Sequence, residues 1–415
     1  MRFLSGTPEV VFQTCALIES AKREVLLQTY EWDDDDESAR LVFAALESRV
    51  ARALDANDGT LQIRLLIDNT WPAFGTKHRH RLESFVAGLA AQPLAAHHVR
   101  VELAYFDGFG FGVLHSKTVV QDGARALVMT GNFKTAGGIE QDFYNMGVLL
   151  EGNVVQSIRE DWLSARAEST VVEAGGPSNL PAPDRVDIAA PEKGAFDAIV
   201  LTRRASAKWR DDDDHNPQNR GLLAVINAAR KQIDVLNPAL NVNAIKDAIV
   251  RAITKRRVVV NMVLSLNMDR QLQHYDGGDN VETAYALYAE ILEKAGPSAA
   301  DRLHIYWAST DGQSIAAPGA PGNLHAKAAS FDNACLWVGS MNWDKQSWSN
   351  SRELNVVLIG KGVSDTWEKE IFGPRQSLAV PLQPGDLPEE NRDIIDPVFR
   401  YLNARRPDAT RVSSR

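Results

Sequence analysis

Two short stretches of this 415-residue chain carry residue types suited to nucleophilic and acid–base chemistry, at matched spacing. The first, LHSKTVVQDGARALVMTGN, contains His115, Lys117, Asp122 and Asn132. The second, LHAKAASFDNACLWVGSMN, contains His325, Lys327, Asp332 and Asn342, and all four residues recur at an offset of 210 (His115 to His325). A histidine can serve as nucleophile or proton donor near neutral pH, and a lysine beside it supplies fixed positive charge. Residues two apart on a strand share a face, so His115 is expected to project with Lys117, and His325 with Lys327. One His-x-Lys-x4-Asp element is weak evidence, since it arises by chance in roughly a few per cent of such chains. Two in register, each followed by an asparagine at the same distance, point to a paired site.

The aspartates read differently. Asp122 precedes Gly123 and Asp332 precedes Asn333, both hairpin-turn signals, so these carboxylates are expected to be structural and to face away from the site. The next strands, expected at Ala126–Thr130 and Cys335–Ser340, run into TGN and GSMN. Small residues there would let Asn132, Asn342 and their backbone N–H groups approach a phosphate closely.

The elements that must position these residues are themselves duplicated. SAKREVLL and AARKQIDV match at an offset of 208, each taking a helix end into an apolar strand. The expected pairs are helices Val10–Ala21 and Leu222–Ala229, strands Glu24–Trp32 and Gln232–Leu240, and helices Ala39–Leu54 and Asn243–Ile253. Strands Leu61–Asp68 and Val258–Leu266 follow, then Arg100–Phe106 and Arg302–Ala308. Strands alternating with helices argue for an α/β sandwich in each half, and a repeat this long means two facing domains. The expected division is a first domain over 1–173, a Gly/Pro-rich linker over 174–195, a second domain over 196–375 and a tail over 376–415.

Composition bounds the class. Apolar content of 44% and charged content of 24% are those of a soluble globular protein. No run approaches the ~18–20 apolar residues of a membrane span. The start, MRFLSGTPEVVFQ, lacks secretory-signal features, so a cytoplasmic protein, or one exported without such a signal, is expected. Cys15 and Cys335 read as buried thiols rather than a disulfide framework. The net charge of −9 provides no basic track for a nucleic-acid backbone.

The paired motifs, each followed by a Gly/Ser-x-Asn stretch, resemble the phospholipase D superfamily from about residue 24 to about residue 360. That resemblance implies two α/β/α sandwiches with mixed sheets, related by pseudo-two-fold symmetry, whose motifs meet in one cleft. It implies a phosphohistidine intermediate, with His115 as nucleophile and His325 as general acid. Lys117, Lys327, Asn132 and Asn342 would bind the non-bridging oxygens, with no metal or other cofactor. The second glycine-serine pair, Gly339-Ser340, is intact, whereas Met129-Thr130 replaces the first. Thr130 and Ser340, together with Asn145, are expected beside the substrate. The carboxylate that backs each histidine falls at Glu353 in SRELNVVL and at Asn145 in FYNMGVLL. Glu353 is accordingly expected to support His325, and the uncharged Asn145 to sit beside His115.

Plainer roles are expected elsewhere. His78, His80, His97 and His98 read as solvated loop residues, and Asp33–Asp36 as a helix-capping run rather than a metal site, with Asp211–Asp214 as the second acidic run. Gly108–Gly112, with Phe109 and Phe111, reads equally as an acyl-chain entrance or a packed loop. Trp337, Trp343 and Trp348 suit a lipid interface or a core. The leading expectation is hydrolysis of phospholipid, or phosphatidyl transfer to an alcohol, at a membrane or micelle surface by a monomer. The alternatives are a nuclease of the same superfamily, a synthase joining phospholipids such as cardiolipin synthase, and a binding scaffold without turnover.

Overall fold

The computed structural model describes residues 1–56, 60–69, 80–90, 94–108, 111–134, 143–178, 196–208, 211, 216–266, 279–316 and 322–383. The first half builds strands β1 (Arg2–Ser5), β2 (Glu24–Thr29), β3 (Leu61–Asp68), β4 (Val99–Phe106), β5 (Thr118–Gln121), β6 (Arg125–Met129), β7 (Met146–Glu151) and β8 (Thr170–Gly175). The second builds β9 (Asp197–Arg203), β10 (Gln232–Asn237), β11 (Val259–Leu264), β12 (Leu303–Trp307), β13 (Ala328–Phe331), β14 (Cys335–Gly339), β15 (Glu353–Ile359) and β16 (Val380–Pro381). The sheet orders are β1-β7-β6-β5-β2-β3-β4-β8 and β16-β12-β11-β10-β13-β14-β15-β9, the same arrangement read from opposite ends. In each, three neighbouring strands are parallel (β2, β3, β4; β10, β11, β12) and the remainder antiparallel, so the sheets are mixed.

Alternation along the strands explains the layering. Val25 and Leu27 of β2 enter a core with the helices α1 (Thr7–Ser20), α2 (Glu37–Ala56) and α3 (His80–Ala90), while Leu26 between them enters a second core. Val235 and Leu236 of β10 divide in the same way, Val235 packing with α5 (Pro217–Ala228) and α6 (Asn243–Arg256). The second core is common to both halves. It joins Leu26, Leu66 and Val120 to Leu236, Val263 and Leu354, with Trp162 of α4 (Val154–Ala167) and Trp367 between the sheets. Strands buried on both faces read as continuous apolar runs. Two pseudo-symmetric α/β/α sandwiches therefore share one interior.

Asp122 (φ 54°) and Gly123 (φ 64°) form the β5–β6 turn; Asp332 (φ 56°) and Asn333 (φ 53°) form the β13–β14 turn. Two successive left-handed residues match the twist of a tight hairpin, and Asp, Asn and Gly tolerate that conformation. The Asp122 carboxylate accepts from the N–H groups of Lys22, Arg23 and Glu24, and Asp332 from those of Arg230, Lys231 and Gln232. Both are structural, as their turns indicated. In the acidic run, Asp36 Oδ1 caps α2 through the N–H groups of Ser38 and Ala39.

Other expectations shift. Strand β8 continues past residue 173, and the helix Gly373–Leu378 with β16 continues past residue 375. Trp337, Trp343 and Trp348 are core residues, so they face no lipid. Phe109, Gly110, His78, Asp212–Asp214, most of the expected linker (179–195) and the tail from 384 lie outside the described residues. No described helix is long and apolar enough to cross a membrane.

Candidate active site

Neither His-x-Lys pair lies on a strand. β5 begins at Thr118 and β13 at Ala328, each just after its lysine. The preceding extended segments pair instead with the opposite half. Leu114 bridges to Arg352, and the His115 N–H donates to the Arg352 carbonyl at 2.9 Å. Leu324 bridges to Tyr144, and the His325 N–H donates to the Tyr144 carbonyl at 2.9 Å. These reciprocal crossings bring the two motifs into one site.

They also determine what backs each histidine, and here the expectation is overturned. His115 Nδ1 lies 2.8 Å from Glu353 Oε1, and His325 Nδ1 lies 2.8 Å from Asn145 Oδ1. The partner comes from the opposite half because Glu353 directly follows Arg352 and Asn145 directly follows Tyr144. Glu353 is fully buried and also accepts from the Ser340 hydroxyl. Burial alone would raise its carboxyl pKa, but the His115 charge and hydrogen bond, with Lys117, hold it below the ordinary value.

The orientation of Asn145 follows from its neighbours. The Thr7 hydroxyl donates to the Phe143 carbonyl at 2.6 Å, so toward Asn145 it can only accept, and it takes an N–H at 3.0 Å. The Asn145 oxygen must then face His325, which places the proton on His325 Nδ1 and leaves Nε2 for chemistry. Glu353 imposes the same tautomer on His115.

Lys117 and Lys327 each donate to the carbonyl of the histidine two residues earlier, at 2.6 Å. Their side chains are almost wholly buried, at 1% and 0% exposure. Burial pushes Lys117 down to about 7 and Lys327 well below its ordinary value. Burial also lowers both histidines. For His115 the Glu353 carboxylate opposes that shift; for His325 the surrounding Lys327, Lys117, His115 and Lys134 deepen it. Such a site disfavours further positive charge and favours an anion. Tyr30 packs edge-on against His115 at 5.4 Å between ring centroids, and its ring lies 5.7 Å from Lys117 Nζ.

Asn132 and Asn342 flank the site, 7% and 8% exposed. Thr130 and Ser340 are occupied otherwise than expected. Thr130 Oγ1 lies 3.2 Å from Asn145 Oδ1 and accepts the Met146 N–H; Ser340 Oγ donates to Glu353 and accepts the Leu354 N–H. Both hydroxyls orient the groups behind the histidines. The nearby glycines make room for neighbouring chain: a Cβ on Gly131 would lie 2.8 Å from the Asn145 side chain, and one on Gly339 2.4 Å from the Leu354 carbonyl oxygen.

Sequence reasoning missed Tyr30, Glu31, Lys134 and Asp344. Asp344 Oδ2 accepts from Asn342 Nδ2 at 3.0 Å, and Glu31 Oε2 from Asn132 Nδ2 at 3.1 Å. The places of Lys134 and Asp344, each two residues past its asparagine, offered the only signal. Among the described residues no group of three or more His, Cys, Asp or Glu side chains is arranged to hold a metal ion.

Comparison with known proteins gives four further findings. A sequence model of the family described as "Cardiolipin synthase, PLD-like domain" matches residues 222–372. Cardiolipin synthase C of Escherichia coli (strain K12) is 22% identical over an alignment of 415 residues that covers 88% of this chain and 83% of that protein. Among solved structures, phosphatidylserine synthase of Haemophilus influenzae Rd KW20 superimposes with a TM-score of 0.64 at 13% identity, covering 96% of this chain and 92% of that one. Polyphosphate kinase of Porphyromonas gingivalis superimposes with a TM-score of 0.50 at 10% identity, covering 89% of this chain and 49% of that one. At these identities the structural likeness speaks for the fold.

Proposed function

Because the chain belongs to the phospholipase D superfamily, we propose that it transfers a phosphatidyl group from a phospholipid donor to an alcohol, in the manner of a phospholipid synthase. The observation that carries this reading is the reciprocal site: two histidines with opposed backing, beside two buried lysines whose charge a phosphoryl group would compensate. His115 Nε2 attacks phosphorus, forming an N–P bond as the donor's P–O bond breaks. Protonated His325 gives its Nε2 proton to the departing alkoxide. Neutral His325 then takes the proton of the acceptor hydroxyl, whose oxygen attacks phosphorus and releases His115.

The assignment of nucleophile rests on Glu353. As His115 attacks, its ring gains positive charge, and the buried carboxylate at Nδ1 stabilises that charge, which the amide behind His325 does not. Lys117, Lys327, Asn132 and Asn342 would hold the non-bridging oxygens, so this chemistry is assigned no metal ion. Hydrolysis differs only in the acceptor. The name of the matched family and that of the E. coli relative favour transfer over the hydrolysis that the motifs alone placed first.

The test is product analysis with phosphatidylglycerol micelles, with and without an added primary alcohol, followed by quenching and mapping of the phosphoenzyme. Phosphatidyl-alcohol should exceed phosphatidic acid, with the label on His115. Phosphatidic acid alone at high alcohol would replace transfer with hydrolysis, and label on His325 would reverse the roles of the histidines.

A further inference from the structure

The two asparagines of the site are each held by a carboxylate, yet those carboxylates come from non-equivalent positions of the duplicated fold. The backbone frames match. Trp32 bridges to Phe133 as Leu240 bridges to Trp343, and the Asp33 N–H donates to the Phe133 carbonyl (2.8 Å) as the Asn241 N–H donates to that of Trp343 (3.0 Å). Position 31 thus corresponds to 239, and 134 to 344. The first half has Glu31 and Lys134 there; the second has Ala239 and Asp344. Glu31 reaches Asn132 from the segment after β2 and forms an ion pair with Lys134. Asp344 reaches Asn342 from two residues downstream and caps the Ser347 N–H with its other oxygen at 2.8 Å.

The duplication has kept the contact while its source moved, which inheritance of the backbone alone does not explain. Each carboxylate also opposes the effect of burial on the lysine of its own half, Glu31 on Lys117 and Asp344 on Lys327. Once an amide N–H is committed to a carboxylate, the amide cannot flip without placing its oxygen against that negative charge. Its second N–H then remains for an anionic oxygen in the cleft.

We propose that Glu31 and Asp344 are positioning residues that orient the Asn132 and Asn342 amides toward the reacting phosphoryl group, one role filled from two unrelated positions. The inference rests on the phosphatidyl-transfer reading of the site.

Transplanting the carboxylate tests it. Glu31→Ala should lower kcat/KM for transfer, and the affinity for inorganic phosphate followed by calorimetry, by ~10–100-fold, the usual effect of losing a partner that orients a binding group. Adding Lys134→Asp places a carboxylate where the second half carries Asp344, and should return most of both losses. The Glu31→Ala/Lys134→Ala control should remain impaired. Thermal melts establish that each variant is folded. A folded Glu31→Ala enzyme with unchanged phosphate affinity and kcat/KM would overturn the proposal, as would a folded transplant no better than the alanine control. Recovery of phosphate affinity by the transplant, in a protein whose wild type transfers no phosphatidyl group, would sustain the positioning role and overturn the transfer reading alone. A wild type that neither binds phosphate nor transfers would overturn both.

Discussion

At the residue scale the two histidines differ in what stands behind them, and the difference is testable through pH. His325 is backed by an amide, and burial, deepened by the surrounding Lys327, Lys117, His115 and Lys134, lowers its pKa. As the acid of the first step it must be protonated in the free enzyme, so kcat/KM should fall as pH rises through that value. Asn145→Asp places a carboxylate at Nδ1 and should move this falling limb to higher pH by ~1 unit or more. A limb that stays in place would remove His325 as the acid. Glu353→Gln should instead cost ~10²-fold or more in kcat, since it withdraws charge from the histidine proposed to attack. Lys117 illustrates the cost of keeping such a site. Its folded pKa of about 7 lies below the ordinary 10.5, so its burial penalty is full below pH 7 and declines as pH rises from 7 to 10.5. Lys117→Met should therefore abolish turnover while stabilising the fold by ~1 kcal/mol or more at pH 7, with a smaller gain at pH 9.5. Urea unfolding at the two pH values measures this, and an equal gain at both would contradict the buried-cation account.

At the element scale, the crossing at Leu114 and Arg352 positions His115 and Glu353 together, and a buried ion pair secures it. Arg352 donates to Asp161 of α4 at 2.7 Å, and the Arg352 side chain is only 2% exposed. Burial raises the Asp161 carboxyl and Arg352 pulls it back. Asp161→Asn would leave much of a buried guanidinium charge uncompensated, so a loss of ~3 kcal/mol in unfolding free energy is expected. Activity should fall with it, because the same arginine supplies the carbonyl that holds the His115 N–H. Normal stability in this variant would show that the shared core alone positions the two halves. At the turns, Asp122→Ala removes the acceptor of three backbone N–H groups and should destabilise by ~1–3 kcal/mol without moving the pH profile.

At the scale of the whole molecule, net charge argues for the substrate class. A protein gripping several phosphates of a polymer needs a basic track, and its affinity falls steeply with salt. This chain carries 54 acidic and 45 basic residues, so a single phosphodiester headgroup suits it better than nucleic acid. Phospholipid turnover should drop only modestly between low and physiological salt and should survive chelators, with single- and double-stranded DNA and RNA left intact. Robust nucleic-acid cleavage that His115→Ala abolishes, without release of any lipid headgroup, would promote the nuclease. Complete loss of turnover with EDTA, restored by a divalent ion, would return the acidic runs to consideration.

The duplication and the α/β class were legible in the chain, because repeated spacing and apolar periodicity are properties of local sequence, whereas the convergence of His115, Lys117, His325 and Lys327 was implied by the resemblance to a known superfamily. Asp122 and Asp332 were legible as turn residues for the same reason: a left-handed hairpin corner depends on two adjacent residue types. The partner of each histidine was not. Glu353 and Asn145 sit at equivalent places in their own halves, and only the crossing of β-bridges between halves sends each to the opposite motif. Glu31 lies 101 residues from Asn132, a contact that no spacing rule reaches. Trp337 and Trp343 had the composition of an interface, but the strand and loop that carry them turn both into the core. Which residue types were present was written in the order of the chain; which of them meet was decided by two sheets packing across one interior.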